Sequence, residues 1–115
     1  MNDQEIIRAM AEESGWTEIY ENTLASRGPF LAGISPNNNP GPLPNYINDR
    51  NAVARAIAYD NNRMSDCDMI FELAKIVGAD MTERSYADIS LLLWSTPRQQ
   101  AEAFLKAKGR MPRSV

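Results

Sequence analysis

The chain has 115 residues and a mass of 12.9 kDa, the size of one ordinary domain, and its 43% of apolar residues suffice for one modest core. Its net charge of −3 argues against general binding to nucleic-acid backbones. A single cysteine, Cys67, excludes an intrachain disulfide and favours a reducing compartment. The acidic N-terminus is unlike a signal peptide, and the longest strongly apolar run, Leu91–Trp94, is too short to span a bilayer, so we expect a cytoplasmic protein.

The first quarter of the chain predicts one helix and the first strand. Residues 2–14 have helical periodicity, with Asn2 or Asp3 as the N-cap and Gly15 as the stop. An extended segment opens at Trp16, and a second candidate strand covers Pro29–Ile34. The two segments can pair as a hairpin across Ser26–Gly28.

The segment Ser35–Pro44 holds four prolines, one glycine and three asparagines, so we expect an exposed loop without regular structure. It is either a plain connector, which we favour, or a binding loop. In the second case Asn38, Asn39, Tyr46 and Asn48 are the candidate partner-binding residues. We expect Tyr46 to be partly exposed; the alternative is that it packs under the following helix and contributes to stability instead.

Two helices are predicted in the middle of the chain. The first runs from about Asp49 to Tyr59, ends at Asn61-Asn62, and has Ala52, Val53, Ala56 and Ile57 on one side. The second begins at a Ser65 cap and ends at Gly78.

The last part of the chain begins with a cap-like Ser85. The run over residues 89–94 is apolar on nearly all sides, so we expect it to be buried; helix and strand both remain open, with helix favoured. The final helix has Thr96 as N-cap, Pro97 at its first position and Gln99 in a capping box, and it ends at Gly109. The prediction is one helix-rich α+β domain over residues 1–110, with helices packed on a small sheet of two to four strands and a frayed tail over residues 111–115.

Charge is distributed unevenly between the ends of the chain. Residues 1–22 carry six acids and one base, and residues 97–113 carry five bases and one acid. The basic residues Lys106, Lys108 and Arg110 either touch nucleic acid or an acidic partner, or simply complement the dipole of their helix, which we favour.

No catalytic, cofactor or metal motif is present in the sequence. The chain has no histidine, which removes the commonest general base and zinc ligand. Cys67 is expected to be inert, Asp66 and Asp68 to be helix-capping acids, and Glu72 to share the solvated face of Asp68. Most aromatic residues are expected in the core. The prediction is therefore a protein that is not an enzyme and has no cofactor.

Three segments resemble small tailed-phage and prophage proteins that carry the phage ABA sandwich domain. Residues 11–17 (AEESGWT) resemble the opening helix and its Gly-Trp pair, residues 43–52 (LPNYINDRNA) a Pro-x-Tyr-x-x-Asp motif before a helix, and residues 95–105 (STPRQQAEAFL) the terminal Ala-Glu-Ala-Phe-Leu helix. Gln100 replaces the usual arginine, and residues 37–42 form an insertion. The resemblance implies a compact domain of helices on a small sheet, encoded by a phage accessory gene, with no established activity.

These observations lead to one functional hypothesis and two alternatives. The first is a non-enzymatic accessory protein that binds a host or phage protein inside the bacterial cell, in its sharpest version an inhibitor of a bacterial defence system. The alternatives are a nucleic-acid-associated protein that uses the basic C-terminal segment, and a small-ligand-binding protein. The sequence leaves the oligomeric state open.

Overall fold

A computed structural model describes residues 2–23, 30–59, 66–82 and 85–111, and for Asp66 and Cys67 it describes the backbone alone. Over these residues the chain is a small, helix-rich α+β domain, as the sequence predicts. Its elements in chain order are α1 (Asp3–Glu13), β1 (Thr17–Asn22), β2 (Phe30–Ile34), β3 (Pro40–Pro42), α2 (Arg50–Tyr59), α3 (Asp66–Val77), α4 (Tyr86–Leu93) and α5 (Pro97–Ala107). None of the described helices has the length and apolar character needed to cross a membrane.

Helix α1 begins and ends at the predicted residues. Asn2 and Glu5 form a reciprocal capping box, in which the Glu5 backbone N–H donates to the Asn2 side chain at 2.9 Å. At the other end Gly15 has φ +85°, and the Trp16 N–H donates to the Ala11 carbonyl at 3.0 Å. This left-handed C-terminal turn sends the chain directly from the helix into β1.

The first two strands pair antiparallel, which confirms the predicted pairing; the turn at Ser26–Gly28 lies outside the described residues. The ladder contains a bulge, because Thr17 pairs with Ile34 while Tyr20 pairs with Ala32. Opposite the bulge, a Cβ on Gly33 would lie 2.9 Å from the Thr17 carbonyl oxygen. A larger residue at that position would therefore disturb the pairing.

The third strand corrects the prediction that residues 35–44 lack regular structure. Ser35 donates to the Asn39 carbonyl at 2.9 Å and Leu43 to the Leu31 carbonyl at 3.0 Å. Hydrogen-bonded and non-hydrogen-bonded pairs alternate along an antiparallel ladder. Pro40 and Pro42 therefore fall between the bonding positions, where no N–H is needed, on an edge strand that tolerates proline.

The hydrophobic core lies between α1, α2 and α5. Its fully buried side chains include Ile6 and Met10 of α1, Val53 of α2, and Phe104 and Leu105 of α5. Met111, which the sequence assigns to the frayed tail, packs against this core; residues 112–115 lie outside the described part.

Helices α1 and α5 run parallel and are joined by ion pairs at both ends. Arg98 lies 2.8 Å from Asp3 at the start of the two helices. At their C-terminal ends Arg110 lies 2.6 Å from Glu12 and 2.9 Å from Glu13, and Lys108 lies 3.8 Å from Glu13. Three acids of the N-terminal segment are therefore paired with three bases of the C-terminal segment.

Helix α3 packs mainly on α5 and differs from its prediction at one residue. It ends at Gly78 as expected, but Glu72 is 2% exposed rather than solvated, because it lies beside the buried Leu73 and Ala74. Its Oε1 lies 3.7 Å from Lys75 Nζ, and its Oε2 has no hydrogen-bond partner among the described residues. The predicted signals at Asn61-Asn62 and Ser65 lie outside the described residues.

Candidate functional site

The most unusual surface of the described chain is the outward face of α4. Residues 86–93 form a helix rather than a strand, and none of these residues is buried. Tyr86 is 91% exposed, Leu93 68% and Trp94, the C-cap residue, 80%, with Ile89 and Leu91 each exposed by more than two fifths. The prediction that this run is buried is therefore wrong. We call these five residues the α4 face.

Charged side chains are absent from the α4 face. At about 100° per residue, its exposed arc from Ile89 round to Leu91 spans roughly 200° of the helix. Within that arc the two remaining residues are Ala87 and Ser90. Asp88, the one charged residue of α4, lies outside the arc and is half-buried.

The helix that carries this face is anchored at its first turn. The Asp88 N–H donates to Ser85 Oγ at 3.2 Å, and the Asp88 carboxylate accepts from the Asp80 N–H at 2.9 Å and from Ser85 Oγ at 2.7 Å. These hydrogen bonds, with the one from Asp80 first, hold the pKa of Asp88 below its usual value. The cap fixes the direction of α4 although the helix has no buried side chain.

An open groove lies beside the α4 face. It has a volume of about 420 Å³ and is lined by Val77 of α3, by Leu91 and Trp94, and by Gln99 of α5, among others. Projecting side chains such as Leu93 and Tyr86 thus stand next to a concave apolar surface. A protein partner can contact both.

The α4 face is large for a surface exposed to water. With about 150–250 Å² per aromatic side chain, the exposed fractions of Tyr86 and Trp94 present roughly 350 Å². The three aliphatic residues bring the face to roughly 500 Å², comparable to the largest apolar patch of a typical monomer, which is often functional. The feature of the sequence that indicates this face is the run over residues 89–94, which is apolar on nearly all sides. Such a run does not show whether its side chains are buried within the chain or against a partner.

Tyr46, a predicted partner-binding residue, is instead part of the core. It is 2% exposed, and its side chain hydrogen-bonds those of Ser14 and Trp16. Burial raises the pKa of Tyr46 above its usual value, and the two hydrogen bonds oppose that shift. The prediction that Tyr46 is partly exposed is wrong, because the hydroxyl finds polar partners at the end of α1 and the ring can be buried with it.

The three predicted asparagines are exposed but do not form one surface with Tyr46. Asn38 and Asn39 lie at the tip of the β2–β3 hairpin, where the Asn38 N–H donates to the Ser35 carbonyl at 2.9 Å and Asn38 has φ +65°. Asn48 lies in the turn before α2, and its N–H donates to the Asn45 side chain at 3.2 Å. Their conformations serve the two turns, and their role in binding stays a prediction.

The three predicted basic residues lie near the end of α5. Lys108 and Arg110 face Glu12 and Glu13 in the ion pairs given above. The pKa of Arg110 is raised further by its hydrogen bonds to Glu12 and Glu13. Lys106 is half-buried. This segment is therefore not a free basic patch, although its role in binding also stays a prediction.

Acidic side chains do not converge on a metal site in the described part of the chain. No group of three or more histidine, cysteine, aspartate or glutamate residues there is arranged to hold a metal ion. Asp68 is half-buried, and the side chains of Asp66 and Cys67 lie outside the described atoms.

The chain matches no family model, and no curated protein or solved structure is significantly similar to it.

Proposed function

We propose that the protein is a non-enzymatic binding protein whose protein partner covers the α4 face. The observation that carries the proposal is the combination of two facts. The face is uncharged and mostly apolar over roughly 200° of the helix, and it is exposed along its whole length. Apolar patches of this size on soluble domains commonly mark interaction sites.

The chemistry of the face favours a protein over a nucleic acid or a lipid surface. Nucleic-acid binding requires lysine and arginine side chains that neutralise phosphates, and the α4 face has none. Helices that lie in a membrane interface combine their apolar face with a strongly charged polar face, and α4 has Asp88 as its single charge. Aromatic anchors without charge are typical of the centre of protein interfaces.

The choice of partner rests on the sequence resemblance and not on geometry. Because three segments resemble phage accessory proteins, we propose a host or phage protein inside a bacterial cell as the partner. Inhibition of a bacterial defence system is the most specific form of this proposal, and it depends on that resemblance alone.

The test is a comparison of two variants in a binding experiment. The protein is immobilised, exposed to lysate from infected and uninfected bacteria, and the bound proteins are identified by mass spectrometry; the strongest one is then purified and titrated directly. Trp94→Ser with Leu93→Ser should weaken that binding by at least about 2 kcal/mol, as expected for an aromatic hot spot. The matched control is Tyr20→Ser, which removes a side chain that is 54% exposed on β1.

Two results would count against the proposal. One is equal binding by the double variant and the Tyr20→Ser control. The other is concentration-dependent dimerisation of the purified protein that the double variant abolishes, because a second copy would then occupy the α4 face.

A further inference from the structure

A second cavity lies on a different part of the molecule, among the C-terminal end of α1, the tip of the β2–β3 hairpin and helix α2. Its volume is about 450 Å³, within the range of small-molecule sites. Three aromatic residues line it, namely Trp16, Tyr46 and Tyr59. We call it the Trp16 cleft.

The shape of the Trp16 cleft depends on small residues at specific positions. Ala52 and Ala56 lie four residues apart on α2, so their side chains share one face of the helix and leave open space. Gly15 allows Tyr59 to lie directly against the backbone, because a Cβ at position 15 would overlap the tyrosine ring and hydroxyl. Two walls of the cleft are thus fixed by the absence of larger side chains.

The aromatic groups in the cleft are held in place by hydrogen bonds. Tyr46 forms the floor, and its side chain hydrogen-bonds both Ser14 and Trp16. Because an indole N–H only donates, Trp16 is oriented by its bond to the Tyr46 hydroxyl. A pocket with rigid aromatic walls loses little conformational entropy when a flat ligand binds.

The Trp16 cleft combines its aromatic residues with one arginine, Arg55. Among the described residues that line the cleft, Arg55 alone is charged, and it is exposed. It has no ion-pair or hydrogen-bond partner among the described residues. Arg98 and Arg110, by contrast, are paired with acids of α1. The planar guanidinium is suited to bind a carboxylate or phosphate with two parallel hydrogen bonds.

We propose that the Trp16 cleft binds a planar aromatic ligand that carries a carboxylate or a phosphate, with the ring among the aromatic side chains and the anion on Arg55. Serine and asparagine side chains at the rim, Ser35 and Asn37, offer further hydrogen bonds to such a ligand. This site is separate in chemistry from the α4 face, which contains neither a cation nor an enclosed cavity.

The chain offers a direct optical readout for this site. It has two tryptophans, Trp16 in the cleft and Trp94 on the α4 face. In a Trp94→Phe background, fluorescence reports on Trp16 alone. The probes are adenosine monophosphate and 1-naphthoate as aromatic anions, with adenosine and 1-naphthamide as their neutral counterparts and inorganic phosphate as the anion without a ring.

The expected result is a saturable change of Trp16 fluorescence with at least one aromatic anion, with a Kd of about 1 mM or below. Its neutral counterpart and inorganic phosphate should each bind about tenfold more weakly or worse. Arg55→Gln should raise the Kd of the aromatic anion by about tenfold. The matched control is Arg50→Gln, which removes an equal charge from an exposed position of the same helix outside the cleft.

Three results would overturn the proposal. The first is that neither aromatic anion gives a saturable fluorescence change. The second is that the neutral counterpart binds as tightly as the anion. The third is that Arg55→Gln and Arg50→Gln lower the affinity for the anion equally. Circular dichroism of each variant ensures that a lost signal reflects the site and not the fold. Leu93→Ser should leave the Trp16 signal unchanged, which separates this test from that of the α4 face.

Discussion

Helices α4 and α5 are neighbours in the chain, yet they contribute to the molecule in opposite ways. Five side chains of α5 are buried, and three of these are alanines. Helix α4 is richer in large apolar residues and buries none. Burial therefore depends less on the hydrophobicity of a helix than on how many other elements are available to cover it.

The difference follows from the neighbours of each helix. Helix α5 packs against α1, α2 and α3, whereas the main neighbour of α4 is α3. Small residues such as Ala101 and Ala103 let the backbones around α5 approach closely, and Phe104 and Leu105 fill the remaining space. The large side chains of α4 have no second layer of described residues above them.

The most direct way to break this comparison is to shorten one apolar side chain on each helix. Phe104 is fully buried, so Phe104→Ala should lower the free energy of unfolding by about 3–5 kcal/mol. Leu93→Ala should change it by no more than about 0.5 kcal/mol. Urea unfolding followed by circular dichroism measures both. Comparable losses in the two variants would mean that α4 is covered in the isolated protein.

The local features of the fold were accessible from the sequence because short-range chemistry determines them. Capping boxes at Asn2 and Thr96 and stops at Gly15 and Gly109 involve residues within one helical turn. Strand β3 is not predictable in this way because two prolines argue against a strand, and only the register reveals that both occupy positions without a ladder hydrogen bond.

The candidate sites depend on long-range packing and were not accessible in this way. Tyr46 and Trp94 exchanged their predicted environments: the tyrosine beside a proline-rich loop is buried, and the tryptophan in an apolar run is exposed. Tyr46 can be buried because its hydroxyl hydrogen-bonds Ser14 and Trp16, which lie about thirty residues away in sequence. Segments 11–17 and 43–52 therefore meet at this contact.

Removing one hydroxyl from a buried tyrosine, Tyr46, and from an exposed tyrosine, Tyr86, compares the core with the α4 face at a single atom. Tyr46→Phe removes a buried hydroxyl and takes away the acceptor of the Trp16 indole N–H, while Ser14 keeps its bond to the Met10 carbonyl, so it should cost about 1–3 kcal/mol of stability. Tyr86→Phe, at a residue 91% exposed, should have almost no effect. Thermal unfolding of both variants checks this, and equal melting temperatures would refute the assignment of Tyr46 to the core.

The start of α5 provides a smaller effect. The Gln99 N–H donates to Thr96 Oγ1 at 3.1 Å, and the Thr96 N–H donates to the Gln99 side chain at 2.8 Å. Thr96→Ala removes the acceptor and should lower stability by about 1 kcal/mol. Thr96→Ser keeps the oxygen and should retain most of that stability in the same urea titration. If the serine variant loses as much as the alanine variant, the hydroxyl is not the source of the effect.

The smallest predicted effect concerns the attachment of α4 and its dependence on pH. The pKa of Asp88 is lowered chiefly by the hydrogen bond from the Asp80 N–H and then by the one from Ser85. A carboxyl whose pKa is depressed in the folded state contributes stability above its unfolded pKa of about 3.9, and that contribution is lost as the pH falls through the folded value. Below about pH 4 the first turn of α4 should therefore loosen while the α1–α2–α5 core stays folded.

NMR titration of the Asp88 carboxyl carbon and of the amides of Leu91–Leu93 follows both the protonation and the loosening, and Asp88→Asn should remove the transition that they share. An Asp88 pKa at or above its usual value, or an unchanged amide transition in Asp88→Asn, would show that another group anchors α4.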